Sequence, residues 1–191
     1  MANNYLENSQ FQISSGTWKI TTSTIKGSLV KCIQNVVAGV VYIDTVKLKQ
    51  SLIENAYGEY SFWIQHADGS NTQVIFIGDT IGAKNATGQD GYYFDISTSE
   101  VVVLGESVGG TPTDKVTNSG GIVSGEWTKF TITRDNSGLF TLYKNGNLLG
   151  STFTDTTATT SNYICLSFGA GDLFSLGDKS GNYNFKKLIT I

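Results

Sequence analysis

Residues 126–150, EWTKFTITRDNSGLFTLYKNGNLLG, constrain the fold more than any other part of this chain. Thr128, Phe130 and Ile132 alternate with Trp127, Lys129 and Thr131, the period-two pattern of a half-buried strand. Asp135-Asn136-Ser137-Gly138 then supplies turn chemistry, with Gly138 free to take a positive φ. Phe140, Leu142 and Tyr143 make the return strand, and Asn145-Gly146 is a strong two-residue hairpin signal leading into Leu148 and Leu149. Three strands joined by two tight turns point to an antiparallel β-sandwich.

The 191 residues fit a single all-β domain spanning 1–191, and the 39% hydrophobic share, rich in Ile, Val, Thr, Tyr and Phe, is enough for its core. Twenty-two glycines against one proline, Pro112, suit a chain with many turns and long strands. A net charge of −3 and a single arginine, Arg134, argue against a nucleic-acid partner. Lys47 and Lys49 read as a solvated strand face. Cys32 and Cys165 read as small buried core residues, with one disulfide between them as the alternative. One histidine and two isolated cysteines offer no zinc spacing. The N-terminus has neither a basic nor an apolar signal region, so a soluble mature chain starting near Met1 is expected. The apolar run from Val36 to Ile43 is too short to span a bilayer, and Gly39 interrupts it.

Strands are expected at Thr17–Thr21, Ser28–Gln34, Val40–Leu52, Gly58–His66, Thr72–Ile77, Gly91–Ile96, Glu100–Leu104, Glu126–Thr133, Leu139–Lys144, Asn147–Phe153, Tyr163–Phe168 and Phe185–Ile191. No amphipathic helix of ten residues or more is visible. Ser107–Gly121, with its glycine pairs and the only proline, reads as the main loop, and Asp155–Ser161 as a Thr-rich connection. The strand carrying Trp18 and Ile20 and the closing Phe185–Ile191 strand are expected to be neighbours, because domain termini often lie close together.

The order of these pieces resembles the concanavalin A-like, laminin-G-like jelly-roll superfamily. The residues that carry the resemblance are Trp18, the segment Tyr57–Ile64 (YGEYSFWI), the closing Asp172–Ile191 region, and above all the central hairpin. There Trp127, Phe130, Ile132, Arg134, Phe140, Leu142, Tyr143, Asn145 and Gly146 follow the superfamily's pattern. The YGEYSFWI strand and the Ser161–Asp172 segment also resemble stand-alone domains of tailed-phage virion proteins. The resemblance implies a two-sheet antiparallel jelly roll and a structural, adhesive role. The expected setting is a virion surface, or the extracellular space reached without a signal peptide. The implied partners are other virion proteins or host-surface glycans, in a homo-oligomer, with no membrane insertion. A free carbohydrate-binding lectin module is the alternative.

Glucan-hydrolysing members carry Glu-x-Asp-x-x-Glu on one strand. The nearest match here, Asp95 and Glu100 in YYFDISTSE, has Tyr93 where the first Glu belongs, and its spacing sends the two carboxylates to opposite faces. His66, beside the Ala67–Asn71 hairpin loop, reads as a surface histidine, and no Gly-x-Ser-x-Gly elbow or phosphate-binding loop is present. No enzymatic activity is expected. Sugar recognition calls for exposed rings and amide or carboxylate groups, and the candidates are Tyr57, Trp63, Tyr92, Tyr93, Asp90 and Asn85, with Tyr60 and Gln89 beside them. Strand alternation allows only a fraction of these rings to face a ligand. Asp68, Asn71, Asp90, Asp135 and Asp172 read as turn residues; no cofactor is expected, with calcium the alternative use of their oxygens.

Overall fold

The computed structural model describes residues 12–44, 56–119, 121–159, 161–175 and 185–186. Its strands are β1 (Gln12–Ile13), β2 (Thr17–Ile25), β3 (Ser28–Val37), β4 (Gly39–Asp44), β5 (Gly58–Gln65), β6 (Thr72–Gly78), β7 (Gly91–Ile96) and β8 (Val102–Val108). They continue with β9 (Thr111–Asn118), β10 (Trp127–Arg134), β11 (Leu139–Lys144), β12 (Asn147–Leu148), β13 (Phe153–Thr154), β14 (Tyr163–Phe168), β15 (Leu173–Ser175) and β16 (Phe185–Lys186). Two antiparallel sheets form. Sheet I runs β1-β4-β14-β6-β7-β8-β9. Sheet II runs β12-β11-β10-β5-β15-β3-β2, with β13 against β11 and β16 against β5. No helix among the described residues is long and apolar enough to cross a membrane.

The central hairpin forms as its residues require. Asp135 Oδ1 accepts hydrogen bonds from the backbone of Ser137 and Leu139, and Gly138 takes φ +82°. Asn145 and Gly146 both adopt positive φ, which matches the twist of the flanking strands. Inward residues of the two sheets then meet. Phe62 and Phe130 of sheet II lie 5.3 and 4.5 Å from Phe94 of sheet I, centroid to centroid, and Phe174 closes on Phe62 at 5.7 Å. Each such ring contributes roughly 1.5–3 kcal/mol through its burial. A bulge between Ile75 and Ile77 lets Phe76 and Ile77 both enter this core.

Several expectations need correction. Ser107–Gly121 is not a long loop: Gly109-Gly110, both at positive φ, turns β8 into β9. Its polar residues are those of an exposed edge strand, where Pro112 is tolerated. Asn147–Phe153 is two short strands rather than one, β12 and β13. Val40–Leu52 is seen as Gly39–Asp44, and its remainder lies outside the described residues, as does most of Phe185–Ile191. The strand of Trp18 pairs with β3, whereas β16 pairs with β5, so the two are not neighbours.

Cys32 and Cys165 are both free, and lie on the outer faces of opposite sheets. Burial pushes each thiol up to about 11. Neither cysteine should therefore react with Ellman's reagent at pH 8 in the native protein, while both should react in urea; fast labelling of the native protein would contradict their placement.

Candidate functional site

The outer faces of the two sheets differ. On β6 and β7 every residue is buried, because the core covers one side and the 79–90 segment roofs the other. Lys84 anchors that roof. Its backbone N–H donates to Gln73 Oε1 at 2.6 Å, its carbonyl accepts from Ser107 Oγ, and its ammonium pairs with Asp95 at 2.5 Å. Ile75, Tyr93, Val103 and Cys165 form an apolar cluster on the face beneath.

This roof decides the fate of several candidates. Tyr92 and Tyr93 are both fully buried, so neither offers a ring face to a sugar. Tyr92 points into the sandwich and donates to Asp155 Oδ1 at 2.6 Å; burial, then that bond, push its hydroxyl up to about 12. Tyr93 points outward beneath Lys84 and donates to Asp114 at 2.5 Å. Tyr57 is half-buried with its ring 4.4 Å from the Arg134 guanidinium. Asp90 and Asn85 are exposed; Asp90 Oδ1 accepts from the Gly109 N–H, pinning the roof to the β8–β9 turn. Trp63 is 7% exposed, on the outer face of sheet II. The six residues thus do not converge on one site.

Asp95 and Glu100 form no carboxylate pair. Asp95 lies under the roof, where burial holds its carboxyl above the ordinary range despite Lys84. Glu100 sits in the β7–β8 turn at φ +60°. His66 is not a surface residue: it is 1% exposed, within hydrogen-bond reach of Thr72 and 3.7 Å from the buried carboxylate of Asp172. Ala67, Ser70 and Thr72 donate to both oxygens of that carboxylate. Ser70 and Thr72 both donate their hydroxyl hydrogens to the aspartate, so neither gives its proton to the imidazole, not even Thr72, which lies 2.8 Å from it.

Among the described residues the outer face of sheet II is partly accessible: Ser61 and Trp63 are buried on it, whereas its β10 residues are half-buried. Along β10 burial alternates without exception, with Thr128, Phe130, Ile132 and Arg134 buried and Trp127, Lys129, Thr131 and Thr133 half-buried. Register places Gln65 beside Trp127, Trp63 beside Lys129, Ser61 beside Thr131 and Glu59 beside Thr133, while β11 adds Tyr143 and Thr141. Ser61 Oγ bridges Glu59 at 3.2 Å and Thr131 at 2.8 Å. The β2–β3 hairpin curls over one end of this face: Trp127 Nε1 donates to Ser23 Oγ at 3.1 Å, and Lys26 lies 5.4 Å from the Trp63 ring. Ile25, Val30, Cys32, Trp63 and Leu173 pack beneath the hairpin, with Trp127 at their margin. The result is a partly exposed row of Thr131, Thr133 and Thr141, with the buried Ser61 beneath it, beside an oriented, partly exposed indole. Its parity was visible in the sequence, because Trp127, Lys129 and Thr131 alternate against the core residues. What the sequence lacked was any sign that 79–90 covers the other sheet.

Two packed antiparallel sheets in this order make a jelly-roll sandwich of the concanavalin A type. A family model described as the concanavalin A-like lectin/glucanases superfamily matches residues 42–186, and the chain belongs to that superfamily. No curated protein matches it by sequence. Among solved structures, the carbohydrate-binding module CBM66 from Bacillus subtilis is similar at 15% identity and a TM-score of 0.61, over 87% of this chain and 92% of that one. The Emp47p carbohydrate recognition domain is similar at 9% identity and a TM-score of 0.54, over 88% and 94%. The receptor-binding domain of botulinum neurotoxin type G is similar at 13% identity and a TM-score of 0.53, and the match covers 86% of this chain but 40% of that chain.

Proposed function

We propose that this protein is a non-enzymatic glycan-binding module that holds sugar on the outer face of β5, β10 and β11. The observation that carries the reading is Trp127. Its ring is partly exposed, its orientation is set by the bond to Ser23, and it stands at the end of a row of hydroxyl, amide and carboxylate groups. An oriented aromatic beside a few polar groups is the usual make-up of a small-ligand site. The Thr133 and Thr141 hydroxyls carry no hydrogen bond among the described residues, so they are available to a ligand. Superfamily membership and the likeness to carbohydrate-binding domains support the same reading. Against hydrolysis, Glu59 is the only carboxylate on the strands of this face among the described residues, and glycoside cleavage needs two. The setting we propose is a virion surface, where repetition in a homo-oligomer turns weak single-site binding into avidity. Light scattering should then give a trimer or larger assembly.

Glycan-array screening followed by calorimetry tests the site. Trp127→Ala should weaken binding about tenfold or more, the scale of losing one aromatic anchor. Trp127→Phe, which keeps a ring, should lose much less. An array hit indifferent to both substitutions would move the site off this face.

A further inference from the structure

We propose that the ligand of this face is an anionic oligosaccharide, its carboxylate or sulfate held by Lys26 and Lys129 beside the Trp127 ring. The inference rests on the glycan reading above and adds the chemical class. The chain as a whole is acidic, at −3, so a cluster of lysines without acidic partners stands out. Lys84 pairs with Asp95, Lys115 pairs with Glu106 at 3.1 Å and lies 3.8 Å from Asp155, and Lys144 donates to the Gly121 carbonyl. Lys19, Lys26 and Lys129 have no acidic partner among the described residues, and two of them, Lys26 and Lys129, flank Trp63 on the outer face of sheet II.

Their placement follows from register. Lys129 sits opposite Trp63 and two residues from Trp127, about 7 Å along the strand. Lys26 reaches the same place from the hairpin tip. Lys19 lies four strands from Trp127 in the row that runs through Gln34, Leu173 and Gln65, about 19 Å away, so the pair at the indoles is Lys26 and Lys129. Glu59 is four residues from Trp63, about 13 Å away, and the exposed Glu126 precedes Trp127 in sequence; neither pairs with Lys26 or Lys129 among the described residues.

A second observation concerns Lys26 itself. It takes φ +46° in the β2–β3 turn, followed by Gly27 at +76°. That conformation favours glycine or asparagine, and L side chains rarely adopt it. The residue there is a lysine, with its ammonium over Trp63. A pyranose stacked on Trp127 would present an anionic substituent to that ammonium and to Lys129.

Calorimetry with three probes tests this: an alginate-derived uronate hexasaccharide, a heparin-derived hexasaccharide and neutral cellohexaose, each at low and high salt. At least one anionic probe should bind ten times or more tighter than cellohexaose. That affinity should fall about tenfold in the K26Q/K129Q double variant and weaken as salt rises. Preference for alginate identifies a carboxylate ligand, and preference for heparin a sulfate. Cellohexaose binding as tightly as both anionic probes, through Trp127, overturns the anionic proposal while the glycan reading stands. Anionic binding that survives Trp127→Ala overturns it too, since charge alone would then explain the affinity. Binding of none of the three overturns both.

Discussion

Arg134→Ala is expected to destabilise the protein by about 4 kcal/mol, a large share of the stability of an ordinary domain. The arginine follows Phe130 and Ile132 on the inward face of β10, and its side chain is fully buried. Its Nη1 donates to the carbonyls of Ala56 at 2.9 Å and Ala158 at 2.5 Å. Its Nη2 donates to the carbonyl of Asp155 at 2.8 Å and to the Tyr92 hydroxyl at 3.2 Å. The rings of Tyr57, Tyr92 and Phe140 surround the guanidinium at 4.4–4.9 Å. One planar fork thus ties the entry to β5 and the segment after β13 to the same strand end. Tyr92 passes the charge on by donating to the Asp155 carboxylate. Burial alone would raise that carboxyl, but hydrogen bonds from Thr157 and Tyr92 hold it below the usual range.

Removing the fork strands three carbonyls at about 1–3 kcal/mol each, partly offset because a buried charge disappears and water enters the gap. Arg134→Lys should lose roughly half as much, since a single ammonium cannot reach both connections. Arg134→Met separates volume from hydrogen bonding. Urea unfolding is the measurement: at about 2 kcal/mol per molar, Arg134→Ala should lower the midpoint by about 2 M with an unchanged slope. A methionine variant as stable as the parent would mean that the guanidinium's bonds contribute nothing net.

Parity made part of this legible beforehand. Anyone counting outward from Phe130 places Arg134 inward, and the same count places Trp127, Lys129 and Thr131 outward. The turns at Gly138 and Asn145-Gly146 were legible for the same local reason, since their chemistry depends on neighbours in sequence. The candidates that dispersed were those judged by residue type alone. Tyr92 and Tyr93 face opposite sides of β7, yet both are buried, because covering an outer face depends on where a distant segment lands. The 79–90 segment lands there through Lys84, Asp90 and the close approach of Gly91 to the Ile77 carbonyl, where a Cβ would sit 1.9 Å away. Gly109-Gly110 misled in the opposite direction. A glycine pair before a polar run suggests a loop, but between two registered strands it is a two-residue turn. His66 was misjudged because the loop beside it folds inward onto Asp172, more than a hundred residues away in sequence.

Asp172→Ala should be about as damaging as loss of Arg134, at about 4 kcal/mol, and Asp172→Asn should lose about 2 kcal/mol. The carboxylate is fully buried and accepts from the Ala67 N–H at 2.8 Å, Ser70 Oγ at 2.7 Å and Thr72 Oγ1 at 2.6 Å. Alanine strands all three donors where the β5–β6 loop meets the β14–β15 turn. Asparagine has a subtler effect, set by proton counting. Thr72 has one hydroxyl hydrogen, and in the native protein it goes to Asp172. The contact of 2.8 Å between Thr72 Oγ1 and His66 Nδ1 must therefore be a donation from His66, and in a neutral ring this leaves Nε2 as a buried acceptor without a partner among the described residues. An asparagine amide would instead donate to Thr72, turn its hydroxyl toward His66 and move the imidazole proton to Nε2. That proton would have no acceptor, which is the origin of the expected loss. His66 is the only histidine in the chain, so its ring ¹⁵N shifts are assigned without ambiguity. The parent should show a protonated Nδ1 and Asp172→Asn a protonated Nε2. A parent imidazole protonated at Nε2 would overturn the bond order drawn through Thr72.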